Sequence, residues 1–107
     1  MGFSNKKNDI DWSKEVEITV EQLCDEIKDA LYEIAINRLP IEINATNLRI
    51  KSDENKIIFV SDDYSTIFSV SKEEIIKATK CDQHFRINFL RWGELCIYDS
   101  AALEDTK

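Results

Sequence analysis

The stretch from Thr19 to Leu39, TVEQLCDEIKDALYEIAINRL, constrains the fold more than any other part of the chain, because it is the longest segment with a sustained helical period. At 3.6 residues per turn, Val20, Leu23, Cys24, Ile27, Ala30, Leu31, Ile34 and Ala35 fall on one stripe about 140° wide, as a helix lying on a sheet requires. Thr19 and Gln22 have the spacing of a capping box, and Ile18 with Leu23 that of a hydrophobic staple. Pro40 lacks an N–H and disfavours helical geometry at Leu39, so the helix is expected to stop there after roughly 28 Å.

The opposite face of this helix is acidic. Glu21, Asp25, Asp29 and Glu33 recur at i, i+4 with Glu26 beside them, and Lys28 offsets only part of the charge. Each like-charged pair at that spacing costs about 0.2–0.5 kcal/mol of helix stability. Tyr32 and Ile36 lie within the ridge as an apolar pair. Glu21, Asp25, Asp29, Tyr32, Glu33 and Ile36 are therefore the candidate partner-binding residues, two anchors inside a rim that would steer a basic protein surface. The plainer reading is a solvated face on which Trp12 and Ile10 cover the apolar pair. Carboxylates about 6 Å apart on a straight helix are too spread to wrap a cation tightly. They are also sparser than the phosphates of one DNA strand, at about one per 3.4 Å, so the ridge alone cannot imitate nucleic acid.

The rest of the chain reads as short strands and one short helix. Leu48 and Ile50 alternate with Arg49 and Lys51, Ile57, Ile58, Phe59 and Val60 form an apolar run, and a third strand spans Ser65 to Val70. Ser52-Asp53-Glu54-Asn55 and Ser61-Asp62-Asp63-Tyr64 supply the turns of an antiparallel meander. Ser71 with Glu74 has capping-box spacing and Val70 with Ile75 staple spacing, which predicts a second helix from Lys72 to Lys80. Phe85, Ile87 and Phe89 alternate with polar residues, and Gly93 suits a hairpin tip that needs positive φ. A strand from Leu95 to Tyr98 returns, and Trp92 at the tip is expected to fold back over the aromatic face.

The expected fold is thus α+β, in the order α-β-β-β-α-β-β, a mostly antiparallel five-stranded sheet with the long N-terminal helix packed on one face. Residues 1–13 form a polar arm, 14–103 a single domain and 104–107 a polar tail. At 107 residues the chain suits one domain.

Composition limits the chemistry. Two glycines, one at the N-terminus, leave no Gly-rich phosphate cradle, which removes the common nucleotide-cofactor sites. A single histidine, His84, makes a nucleophilic triad or His-based metal centre improbable, and no cofactor or metal is expected. Cys81-Asp82-Gln83-His84 has the spacing of half a metal site, but a polar loop explains it better, and Cys81 is the cysteine expected to react first. Three cysteines with no C-x-x-C and no signal-like or membrane-length apolar run suit a cytoplasmic protein. A net charge of −7 disfavours direct binding to nucleic acid or anionic membrane.

The resulting expectation is a small acidic protein-binding module, such as an inhibitor, immunity or anti-defence protein, and not an enzyme. The alternative is an accessory or regulatory domain working as a homo-oligomer. A divalent-metal-dependent hydrolase built on Asp62 and Asp63 ranks third.

Overall fold

In the computed structural model, residues 10–104 are described except Lys28, Leu39, Pro40, Asp62, Tyr64 and Trp92, and for residues 38, 41–43 and 104 only the backbone is. A 3-10 turn, Trp12–Lys14, leads into β1 (Val16–Ile18) and α1 (Val20–Glu26). The strands β2 (Tyr32–Arg38), β3 (Ile41–Ser52), β4 (Lys56–Val60) and β5 (Thr66–Ser71) follow. A second 3-10 turn, Lys72–Glu74, precedes β6 (Ile75–Cys81), β7 (His84–Phe89), β8 (Gly93–Asp99) and α2 (Ser100–Glu104). All eight strands join one antiparallel sheet in the order β1-β6-β7-β8-β2-β3-β4-β5.

This corrects the expected α+β arrangement of a long helix on five strands. The helix begins where the sequence says it should. Thr19 Oγ1 accepts from Gln22 N at 3.0 Å and Thr19 N donates to Gln22 Oε1 at 2.8 Å, so the capping box is complete. It ends after seven residues, at Glu26, with Ile27 already extended. The remainder becomes β2, inserted centrally between β8 and β3. The same letters carry a second period there: Tyr32, Ile34 and Ile36 face one side, and Glu33, Ala35 and Asn37 the other. As a strand the segment pairs along both edges and buries Tyr32, Ile34 and Ala35. Burying side chains of this size contributes about 1.5–3 kcal/mol each, more than the helical alternative gains from a stripe weakened by its acidic ridge. Whether Pro40 ends an element lies outside the described residues.

The second expected helix fails for the same reason. Ser71 does accept from Glu73 N at 3.3 Å, but its cap starts one 3-10 turn only. The chain then enters β6, which pairs with β1 and β7. The meander β3-β4-β5 and the hairpin β7-β8 form as the alternation implied. Gly93 has φ 106°, the positive value its turn requires. The position of Trp92 lies outside the described residues.

One long strand lets the sheet fold over itself. Residues 41–45 of β3 and, past a slip in register, Leu48 pair with β2, whereas residues 49–52 pair with β4. At that slip Asn47 adopts φ 59°, a left-handed conformation that asparagine tolerates better than most residues. The two halves then share one core, in which Leu48, Ile57, Phe59 and Val70 meet Phe85, Ile87, Leu95 and Ile97. Phe68 stacks on Phe59 at 4.6 Å between centroids. Leu23, the one buried residue of α1, joins this core, and the Glu26–Lys80 ion pair ties the end of α1 to β6.

Candidate binding site

The six residues expected to form a docking face do not share one. Glu21 and Asp25 are exposed on α1, and Asp29 lies in the following connection, where Arg49 donates to it at 2.9 Å. Tyr32 is 2% exposed inside the core, Ile36 is half-buried against that core, and Glu33 points to the other side of β2. The arm covers something else. Ile10 and Trp12 pack with Leu103 against Ala35, Cys96 and Tyr98, on the outer face of the sheet.

Strand register explains what the arm meets. Across β6, β7, β8 and β2, Thr79 faces Arg86, Arg86 faces Cys96, and Cys96 faces Ala35. These outward positions form a transverse row under residues 10–15. Glu15 accepts from Thr79 Oγ1 at 2.6 Å and from Arg86 Nε at 3.2 Å, and it also pairs with the Arg86 Nη2. Arg86 reaches Glu94 at 3.1 Å and lies 4.6 Å from the centroid of Trp12. The Trp12 ring meets Tyr98 edge-on at 6.4 Å. Burial pushes Glu15 up, but the bonds from Thr79 and Arg86 and the guanidinium charge outweigh it and hold Glu15 below its usual range. Burial raises the Tyr98 phenol and the Cys96 thiol, so both stay protonated at neutral pH.

Beside this row is a cleft of about 660 Å³, between the arm (Ile10, Asp11, Lys14), the β6–β7 turn and α2. Cys81 and His84 close a two-residue hairpin whose Asp82 has φ 55°. As the closing pair they point to the same side, the outer one. His84 is 6% exposed, its Nδ1 accepts the Asp99 N–H at 3.2 Å, and its ring lies 5.8 Å from Tyr98. Burial holds the imidazole below its ordinary value against the opposing pull of Asp99 and Asp82, so it is neutral at pH 7. Cys81 is buried and bonded through Sγ to the Asp11 carbonyl at 3.3 Å. Burial, then the charges of Asp82, Asp11 and Glu15, push its thiol up. Cys81 is thus a protonated hydrophobe and not the reactive cysteine the loop position suggested; Cys24 is the least buried of the three.

No group of three or more His, Cys, Asp or Glu side chains among the described residues is placed to hold a metal ion. Asp63 does the work of a turn: it accepts from Ser65 N at 3.1 Å and from the Ser61 hydroxyl, and these bonds hold its carboxyl below the usual range. Asp62 and Tyr64, the other parts of that expected site, lie outside the described residues. Among the described residues no helix is long and apolar enough to cross a membrane.

The sheet ends in two edges of different character. β1 is three residues long, carries Glu17 and follows Glu15, so brevity and charge protect it. β5, TIFSVS, has six residues and no charge, and no strand pairs with its outer side among the described residues. Ile67 on it is 51% exposed. Its register slips opposite Phe59 and Val60, so the regular edge is residues 68–71. Sequence reasoning found this strand but not that it ends the sheet, because strand order is set by long-range pairing.

No family model matches this chain, and no curated protein and no solved structure matches it.

Proposed function

We propose that the chain is a small cytoplasmic protein-binding module that captures an extended, basic-flanked segment of another protein along β5. The observation that carries this reading is the uncharged β5 edge, which no strand pairs among the described residues, set between turns of net acidic charge. Strand addition supplies backbone hydrogen bonds, and flanking charges choose the partner. Asp63 precedes the strand; Lys72, Glu73 and Glu74 follow it, and Asp53, Glu54 and Lys56 lie in or beside the neighbouring turn, so the four acids outnumber the two lysines at that end, where Lys72 N donates to the Asn55 carbonyl at 2.9 Å. Neighbouring strands are about 4.8 Å apart, within the screening length of about 8 Å at physiological salt, so these charges act on an added strand.

The same charges select against a second copy of the chain as the occupant. An antiparallel self-pair would set the Asp63 end of one copy against Glu73 and Glu74 of the other, and a parallel pair would align like ends. Both juxtapose ends of net acidic charge, which Lys56 and Lys72 offset only in part. A segment with neutral β-branched residues at its centre and lysine or arginine at both ends avoids this. An inhibitory role is consistent with such capture, since an occupied segment is withheld from other partners. The cytoplasmic setting is supported by three free cysteines.

The test is an NMR titration with a peptide of alternating valine and threonine bearing two lysines at each end, beside a glutamate-flanked control. Saturable shifts in the β5 amides that weaken with salt, absent with the control, are expected. Ser69→Lys should weaken capture about fivefold, the value of roughly 1 kcal/mol for one added like charge. Shifts confined to other strands, equal binding of the control, or a concentration-dependent dimer pairing through β5 without peptide would each overturn the reading.

A further inference from the structure

The cleft between the arm, the β6–β7 turn and α2 is independent of β5, and one polar ring, that of His84, lines it. His84 is more than nine-tenths buried, lines this cleft, and has one ring nitrogen committed to the Asp99 N–H. Because Nδ1 accepts that bond, the neutral ring carries its proton on Nε2. No hydrogen bond joins Nε2 to any of the described residues. Nε2–H is thus the donor the ring has left to offer, and it opens on the cleft, where an acceptor oxygen can take the place of water.

The walls and rim choose the kind of molecule. Ile10, Ala101, Ala102 and Leu103 give an apolar wall. Asp11 and Asp82 set two carboxylates against one ammonium, Lys14, so the rim repels an anion. An organic cation suits the rim but offers the Nε2–H no acceptor. A volume of about 660 Å³ is within the usual range of about 300–1,000 Å³ for small-molecule pockets. We propose that this cleft binds an uncharged small organic molecule with an apolar body and a carbonyl-type oxygen, held by a hydrogen bond from His84 Nε2.

One histidine in the chain makes the readout unambiguous, because the imidazole signals in an NMR spectrum belong to His84 alone. Three probes of similar size are titrated at pH 7.5: acetophenone, benzoate and benzylamine, the last as its ammonium. The expected result is a saturable acetophenone-dependent shift of the His84 Nε2 and Hε1 signals and of the Gln83 and Ala102 amides. Benzoate and benzylammonium bind more weakly and leave Nε2 unmoved. His84→Phe should weaken acetophenone about five- to tenfold, the value of one hydrogen bond. Ala102→Trp, which fills the cleft from α2 without touching the His84–Asp99 bond, should abolish binding in a chain that remains folded. Acetophenone leaving His84 unshifted at millimolar concentration, benzoate binding tightest, or Ala102→Trp binding normally would each overturn the proposal.

Discussion

Replacing Arg86 by methionine tests the clasp that holds the arm to the sheet. The guanidinium pairs with Glu15 and Glu94 and lies against Trp12. Side chains in this cluster are one-quarter exposed: 25% for Arg86, 24% for Glu15 and 29% for Glu94. Exposed pairs contribute about 0–1 kcal/mol, and removing one partner of a fully buried pair costs about 3–5. This partly buried triad belongs between, at roughly 2 kcal/mol. Loss of the cation–π contact adds about 0.5–1 kcal/mol, while methionine keeps much of the apolar stem, so Arg86→Met should cost roughly 2.5–3 kcal/mol at pH 7. The loss should depend on pH with a definite sign. Glu15 has a folded pKa depressed below 4.5, so it contributes stability above that value that is lost as pH falls through the folded one. Below that window the Glu15 share of the loss should disappear, so the difference between variant and parent should shrink. Urea denaturation followed by far-ultraviolet circular dichroism in a series from pH 7 downward, carried until the difference between variant and parent stops changing, measures both numbers. A double-mutant cycle with Glu15→Gln should return a coupling of about 1–2 kcal/mol. A loss under about 0.5 kcal/mol at pH 7, a loss that stays constant across the pH series, or zero coupling would refute this account of the clasp.

Other consequences follow from burial and backbone geometry. His84 has a folded pKa below 6.5, so the chain should lose stability as pH falls from 6.5 through the folded value, and His84→Phe should flatten that part of a urea-midpoint profile. Tyr32→Ala should cost about 3–5 kcal/mol in the same denaturation assay, and Ile36→Ala about 1–2, whereas Glu21→Lys and Asp25→Lys should remain within about 0.5. An unchanged midpoint for Tyr32→Ala would put the ring outside the core. Iodoacetamide should label Cys24 before Cys81 and Cys96, as peptide mass spectrometry at short times would show; early labelling of Cys81 contradicts its burial. Asn47→Gly should be nearly neutral and Asn47→Val should cost about 1–2 kcal/mol, because a β-branched residue resists φ 59°.

Local signals proved legible where the interactions they imply are local. The Thr19 capping box needs only Gln22, and it forms. The turn at residues 61–65 needs only serine and aspartate side chains bonding nearby backbone, and Gly93 needs only the absence of a Cβ. Alternation likewise exposed part of β3 and β7, a continuous apolar run exposed β4, and the turns between them bounded β5 and β8. The error lay in Tyr32–Arg38 and Ile75–Cys81, whose letters support two periods. The expected docking face inherited that error, since Tyr32 belonged to it only if the helix continued. The site features missed from sequence share a cause. Cys81 and His84 meet across a hairpin, Glu15 reaches Thr79 and Arg86 across the sheet, and β5 is an edge by exclusion. The spacing C-x-x-H was the available signal, for it fits a two-residue hairpin as well as a loop.

By itself, then, the sequence determined where α1 starts, several of the turns, that the chain is acidic, and that two glycines are too few to build a phosphate cradle. Tertiary structure decided where α1 ends. A segment with both helical and strand periodicity has no local preference strong enough to settle the matter, at a few tenths of a kcal/mol per residue or pair. Pairing along two edges and burial of Tyr32 and Ile34 are worth several times more, and they exist only once β8 and β3 are in place. The same long-range placement left β5 at the rim and brought His84 to the cleft beneath the arm.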